Sequence, residues 1–210
     1  MKRFIILGML YLAYLFGVSS VFAEEITVSI EAGEHWKEKR EPQIAVWAED
    51  LDGNFLRTLY VTKRASKKNW ICGPKEGRPE SLPVWYHAAK YNPAKLKDKA
   101  DEDFVFDSVT GATPKGGIFF TAEITDLPCI IKAEFNTSFD YNDFYTKKNS
   151  GVNGQPSVVY KAQVKEKSKD KIVLEFLGTG SIDGANGKIC SDTEGLTSAK
   201  NIVKNITVSF

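Results

Sequence analysis

The sequence is poor in the side chains that most often carry catalysis or bind metals. It has only two histidines, His35 and His87, and three cysteines in 210 residues. The histidines are far apart, and no C-x-x-C pair is present, so the spacing does not favour a metal site. No serine lies in a nucleophile elbow, and the chain lacks both a P-loop and a glycine-rich dinucleotide motif. These absences argue against a hydrolase and against the usual nucleotide-binding enzymes.

The longest apolar run is at the N-terminus, and it is short. Two basic residues precede an apolar stretch over about residues 4–18, and Val21 and Ala23 then follow at the spacing of a signal-peptidase site. A membrane span needs about 20 apolar residues, so a cleaved signal peptide over residues 1–23 is favoured over a membrane anchor. We expect an exported chain that starts at Glu24, lies in the periplasm of a bacterial host and is not stably inserted in the membrane.

A large excess of charge is also absent. The chain has 28 Lys+Arg and 27 Asp+Glu, a formal net charge of +1. Removal of residues 1–23 takes away Lys2 and Arg3 but no acid, so the mature chain has 26 basic and 27 acidic side chains. A nearly neutral chain argues against nucleic acid or an anionic membrane surface as a partner.

The cysteines Cys72, Cys129 and Cys190 leave the disulfide pairing open. An exported compartment permits a disulfide, but three cysteines cannot all pair within one chain. At least one is therefore free or pairs with another molecule. Each of them also fits a buried position as a small apolar residue.

The mature chain is dominated by period-2 patterns, which are typical of strands. Residues 43–49 and 55–61 alternate in this way, and the turn cluster Asp50-Leu-Asp-Gly-Asn54 between them predicts a β-hairpin. The turn does not have the ligand order of an EF-hand. Further strands are predicted at 27–31, 117–125, 129–136, 157–164, 171–177 and 202–210.

These patterns predict one all-β domain over residues 24–210, an antiparallel β-sandwich, Ig-like or related, with long irregular loops. The loops are expected at 63–107 and 139–156, and short helical turns at 98–103 and 197–203. The predicted core residues are Ile44, Val46, Leu59, Phe119, Ile130, Val159, Val173 and Val208.

Several aromatic residues fall in the predicted loops: Trp85, Tyr86, Tyr141 and Tyr145. Exposed aromatics on loops are typical of recognition surfaces, which favours a cofactor-free binding or interaction module. The same residues could instead cover the ends of the sandwich core.

The loop Asp107-Ser-Val-Thr-Gly-Ala-Thr113 resembles the motif by which exported bacterial redox domains acquire covalent FMN. The matching positions are Asp107, Thr110, Gly111, Ala112 and Thr113. The resemblance implies that a flavin transferase esterifies the FMN phosphate to the Thr113 hydroxyl. The flavin would then carry electrons, and the chain would hold and tune it. Pro114 follows directly, where the redox domains usually continue with Ser or Thr.

A longer resemblance covers about residues 43–165. The segments "PQIAVWAEDLDGNFLRTLYVTK", "RPESLPVW", "DSVTGATPKGG" and "SGVNGQPSVVY" are similar, in this order, to an uncharacterised family of bacterial periplasmic proteins, a domain of unknown function. Its members are often associated with flavin transferase and periplasmic redox proteins. The resemblance implies a redox setting and such partners, but no particular reaction.

Overall fold

The structure is a computed structural model, and it describes residues 23–36, 41–62, 65, 80–90, 109–111 and 116–210. The strands of this part are β1 (Glu24–Ala32), β2 (Gln43–Glu49), β3 (Phe55–Thr62), β4 (Val109–Gly111), β5 (Gly117–Ile124), β6 (Cys129–Asn136), β7 (Val158–Val164), β8 (Ile172–Val173), β9 (Glu175–Thr179) and β10 (Val203–Ser209). Its helices are α1 (Pro83–Lys90), α2 (Lys147–Ser150) and a 3-10 helix (Ser198–Asn201).

Two β-sheets pack face to face, which confirms the predicted all-β sandwich. One sheet has four antiparallel strands in the order β5-β1-β10-β8. The other has six strands in the order β4-β3-β2-β6-β7-β9. Its pairs are antiparallel except at one edge, where the short strand β4 runs parallel to β3.

The hairpin predicted from the turn cluster is formed by β2 and β3. The Asp50 carboxylate accepts hydrogen bonds from the backbone N–H groups of Asp52 and Asn54 and from the Asn54 side chain, at 2.8–2.9 Å. The bonds from Asn54 lower the pKa of Asp50. Gly53 has a φ of 85°, a conformation that glycine adopts without strain. The turn residues thus fix this hairpin locally.

One predicted strand divides between the two sheets. The run at 171–177 forms β8, which pairs with β10, and then β9, which pairs with β7. Leu174 lies between them, is buried, and donates its N–H to the Ile206 carbonyl at 2.9 Å. The chain therefore crosses from one sheet to the other at Leu174.

The core between the sheets contains four of the residues predicted for it: Ile44, Val46, Leu59 and Val208. Val159 is also buried, but in a second cluster on the outer face of the six-stranded sheet. That face is covered by α1.

Three core predictions are wrong by one position along their strands. Phe119 is 73% exposed, Val173 is 52% exposed, and Ile130 is only partly buried. Successive side chains of a strand face opposite sides, so a shift of one residue exchanges the core and solvent faces. The neighbouring residues occupy the core instead: Ile118, Phe120, Ile131 and Leu174.

Residues 83–90 form helix α1, and their assignment to an irregular loop is therefore wrong. Pro83 is the first helical residue, a position that suits its fixed φ and missing N–H. Trp85 is buried against the six-stranded sheet, and its indole N–H donates to the Thr58 hydroxyl at 3.0 Å. The helical turn predicted at 197–203 is present as the 3-10 helix, whereas the turn predicted at 98–103 lies outside the described residues.

Across the described ranges, no helix combines the length and apolar character that a membrane span requires. The predicted signal peptide lies outside these ranges except for Ala23.

Candidate functional site

The threonine segment approaches the sandwich at the edge of the six-stranded sheet. Thr110 and Gly111 belong to β4 and pair in parallel register with Val61 and Thr62 of β3. The structure thus places two of the five motif residues on an edge strand. The other three lie outside the described residues: Asp107, Ala112 and Thr113.

The chain changes sheets between Gly111 and Gly117, because β4 belongs to the six-stranded sheet and β5 to the four-stranded sheet. The two edges lie close together, since Tyr60 of β3 stacks on Phe120 of β5 with ring centroids 5.0 Å apart. Gly116 is exposed, and a Cβ on it would meet no atom within 4 Å. The crossing therefore begins and ends at the outermost strands of the sandwich.

A buried carboxylate lies on the outer face of the six-stranded sheet. Glu134 of β6 accepts hydrogen bonds from the backbone N–H groups of Val84 and Trp85, at 3.2 and 2.8 Å, and from the Ser157 hydroxyl at 2.6 Å. Both N–H groups are in the first turn of α1, where the helix itself offers no acceptor. Glu134 therefore caps α1 from a distant part of the chain.

Burial raises the pKa of Glu134 to about 7, although its hydrogen bonds, that of Ser157 first, and the charge of Lys132 act in the opposite direction. The packing around the carboxylate is tight. A Cβ on Gly180 would lie 2.5 Å from the Ser157 hydroxyl and 3.0 Å from Glu134 Oε1. Because Glu134 has no exposed surface, it holds α1 in place rather than meeting a substrate.

The raised pKa predicts a pH dependence of stability. The folded state holds a proton on Glu134 up to about pH 7, whereas the unfolded chain releases it near pH 4.5. This group's contribution to stability is therefore present below about pH 4.5 and is lost as the pH rises through about 7. Urea unfolding at pH 5 and pH 8 should show the wild type losing on the order of 3 kcal/mol relative to Glu134→Gln, which does not titrate. Equal pH dependence of the two proteins would contradict this assignment.

A second buried acid lies on the same sheet. Glu49 Oε1 accepts from the Trp47 indole N–H at 2.7 Å, and Glu49 Oε2 lies 2.6 Å from Lys132 Nζ. A buried ion pair of this kind fixes its side chains in position, and the removal of one partner would leave a costly unpaired charge.

The segment at 139–156, predicted as an irregular loop, is held by a network of buried polar groups. Asp140 Oδ2 accepts from the side-chain amide of Gln155 at 2.9 Å and from the Ser198 hydroxyl at 2.5 Å. Gln155 Oε1 accepts the Thr197 N–H at 2.7 Å. A Cβ on Gly154, which has a φ of 76°, would lie 2.4 Å from the Asp140 backbone nitrogen. These contacts fasten the segment to the 3-10 helix.

The four aromatic residues predicted to lie in loops are mostly engaged in packing. Trp85 and Tyr86 lie in α1, so their loop assignment is wrong. The Tyr141 hydroxyl donates to the Gly151 carbonyl at 2.6 Å, and that of Tyr145 donates to the Glu194 carbonyl at 3.1 Å. Burial, with the nearby Asp192 as a smaller cause, raises the pKa of Tyr145. These contacts favour the covering role over an open recognition surface.

The histidines lie apart from any cluster of potential metal ligands in the described part of the chain. His87 Nε2 is 2.8 Å from the Gly184 carbonyl. Within the described ranges, no three His, Cys, Asp or Glu side chains come together at metal-binding distance.

Two of the cysteines have free thiols in the structure. Cys129 is buried, which raises its pKa to about 11, and Cys190 is exposed. Cys72 lies outside the described residues. Because Cys129 and Cys190 are both free in the structure, we expect thiol titration of the unfolded, unreduced chain to return three thiols. In the native protein Cys190 should react quickly and Cys129 slowly. A count of one would show that two of the cysteines are paired.

Sequence patterns did not single out Glu134, Ser157, Asp140 or Gln155. Polar residues within strands and loops are usually solvated, and only the tertiary contacts show that these four are buried. Comparison of the chain with family models, with curated proteins and with solved structures found no match. The resemblances described above therefore remain predictions.

Proposed function

We propose that the protein is an exported β-sandwich that carries electrons in the periplasm through an FMN esterified to Thr113. The proposal rests on the match of the segment from Asp107 to Thr113 with the flavin-attachment motif. A flavin transferase would attach the cofactor, and periplasmic redox proteins would exchange electrons with it. The chain itself would act as a carrier rather than as an enzyme.

The position of the sheet crossing supports this proposal. Attachment requires a hydroxyl that can enter the active site of another enzyme. The crossing from one sheet to the other starts at the edge strand β4 and ends beside Gly116. Gly116 is exposed, and a Cβ on it would meet no atom within 4 Å. The described residues at both ends of the crossing thus fit a segment that a transferase can approach.

Attachment would transfer the FMN phosphoryl group from a phosphoanhydride of FMN that the transferase supplies. The Thr113 oxygen would form a bond to phosphorus as the anhydride bond breaks, and the other phosphate portion would leave as its anion. The hydroxyl proton passes to a base of the transferase. An attached flavin would supply the electron-transfer chemistry, and the sandwich would supply its support.

Co-expression with an active cognate flavin transferase tests the proposal. The protein should become fluorescent in a denaturing gel, and the modified peptide should be the one that contains Thr113. Protein made without the transferase is the control and should show neither signal. A flavin found on a different peptide would contradict the assignment.

A second candidate is a cofactor-free interaction module, and one residue favours it. Phe139 has a φ of 62°, which is strained for a bulky side chain, and it is 47% exposed. Its N–H donates to the carbonyl of Val152, which is also exposed. A strained backbone that presents an aromatic ring to solvent is typical of a binding surface.

Site-specific photo-crosslinking tests this second candidate. A photoreactive residue at Phe139 should capture a defined partner in the native compartment, whereas one at Phe176, exposed on β9, should not. Capture at neither position, or equally at both, would count against an interaction surface at Phe139.

The tyrosines of the same segment separate packing from recognition. Tyr145→Ala removes a hydrogen bond and a half-buried ring, so we expect it to lower the free energy of unfolding by about 2 kcal/mol. Phe139→Ala should change it by less than about 1 kcal/mol. Urea denaturation of the two variants measures the difference. A neutral Tyr145→Ala would instead support a recognition role for that ring.

A further inference from the structure

We propose that β5 forms a two-fold dimer interface in which the β5 strands of two copies pair antiparallel and join their four-stranded sheets. The proposal concerns β5, the outermost strand of its sheet, and the edge of this strand that faces away from β1. It does not depend on flavin attachment.

The sheet edges differ in how well they are protected against pairing with another strand. β8 has two residues, and β4 has three. β9 is covered at one end, where Thr179 and Cys190 exchange backbone hydrogen bonds at 2.8 Å. The pairing of β7 with β9 also contains a register shift. Short, bulged or covered strands are the usual protection of a sheet edge.

β5 has none of these features over most of its length. It has eight residues, pairs with β1 in unbroken register, and contains no proline, lysine or arginine. Near one end of β5, the Arg57 side chain donates a hydrogen bond to the Glu123 carbonyl at 3.2 Å. Phe119, in the middle of the strand, leaves 73% of its surface exposed. A long, regular and apolar edge strand of this kind favours pairing with another strand.

The charge pattern of β5 favours a second copy in the antiparallel orientation. Glu123 is the only ionisable residue of the strand. In an antiparallel pair centred on Phe120, the Phe120 residues of the two copies lie opposite each other. Glu123 of each copy then lies opposite Gly117 of the other, and Phe119 of each copy lies opposite Thr121 of the other. A parallel in-register pair would instead place the two Glu123 carboxylates side by side, which is destabilising. Closed two-fold pairing also leaves no further β5 edge open.

Sedimentation equilibrium of the purified protein and two variants tests the interface. We expect a reversible dimer, and we expect Thr121→Lys, on the exposed face of β5, to raise the dissociation constant at least about tenfold. Val173→Lys is the matched control, because Val173 is exposed on β8 at the opposite edge of the same sheet. It should leave the dissociation constant unchanged. Circular dichroism checks that both variants are folded.

Amide hydrogen exchange gives a second, residue-level result. Protection of the Phe119 and Thr121 amides should rise with protein concentration in the wild type. A chain that stays monomeric up to about 1 mM would contradict the proposal. So would a dimer with the same dissociation constant in Thr121→Lys. Protection in β5 that is independent of concentration would show that this edge is covered within one chain, which also overturns it.

Discussion

Glu134→Ala is expected to lower the free energy of unfolding by about 3 kcal/mol at pH 5, where the folded state keeps this carboxyl group protonated. The change removes the acceptor of the Val84 and Trp85 N–H groups and of the Ser157 hydroxyl. All three donors would lose this acceptor beneath α1. Because α1 covers a buried cluster around Trp47, its loosening would also expose apolar surface. Urea denaturation of the purified variant measures the loss.

Two matched variants separate the cap from a general effect of removing an acid. Glu175→Ala removes an exposed carboxylate from the nearby strand β9 and should change stability by less than about 0.5 kcal/mol. Glu134→Gln keeps one acceptor oxygen and should be much milder than the alanine variant at pH 5. If Glu134→Ala and Glu175→Ala were equally mild, Glu134 would not be the cap of α1.

Thr113→Ala should abolish covalent flavin completely, because the hydroxyl oxygen is the atom that forms the ester. Thr113→Val should have the same result and keeps nearly the same side-chain volume. Thr113→Ser retains a hydroxyl and should keep part of the modification. The fluorescence of equal amounts of protein in a denaturing gel, after co-expression with the transferase, measures the series. Undiminished labelling of Thr113→Val would place the flavin on another residue.

The neighbouring motif residues should give graded effects on the same assay. Asp107→Ala should reduce modification without removing the attachment atom, since recognition by the transferase is its implied role. Thr110→Ala should have an intermediate effect. Thr110 lies in β4 and would shape the segment that leads to Thr113 without being the attachment site. If both side chains are accessible to the transferase, as the proposal requires, both variants should keep the fold, since surface substitutions usually cost no more than about 0.5 kcal/mol. A purely structural turn would instead show no flavin in any variant and a loss of stability in Asp107→Ala.

Local patterns predicted the elements whose structure is fixed by neighbouring residues. The hairpin of β2 and β3 follows from alternating residues and from Asp50, which binds backbone groups only two and four positions away. In β5, Phe119 was predicted to lie in the core, but the pattern of the strand indicates the opposite face. Residues 118, 120, 122 and 124 are all apolar, whereas Thr121 and Glu123 share the face of Phe119. The strict alternation of apolar residues along β5 therefore predicts correctly which face of the strand lies in the core.

Features set by distant contacts could not be predicted in this way. Glu134 is 50 positions from Val84 and 23 from Ser157, so no local pattern connects them. The division of residues 171–177 between two sheets depends on which strands are already paired on each side of Leu174. Helix α1 was missed because its N-terminal cap comes from β6 rather than from the preceding residues.

The intact mass of the protein, produced with and without an active cognate flavin transferase, tests the central proposal most directly. We predict that the transferase adds the mass of one FMN, joined with loss of water, to a chain that begins at Glu24. We also predict that Thr113→Ala shows no addition under the same conditions. An unmodified wild-type mass in the presence of a transferase that modifies its own known substrate would contradict the flavin-carrier proposal and favour the interaction module.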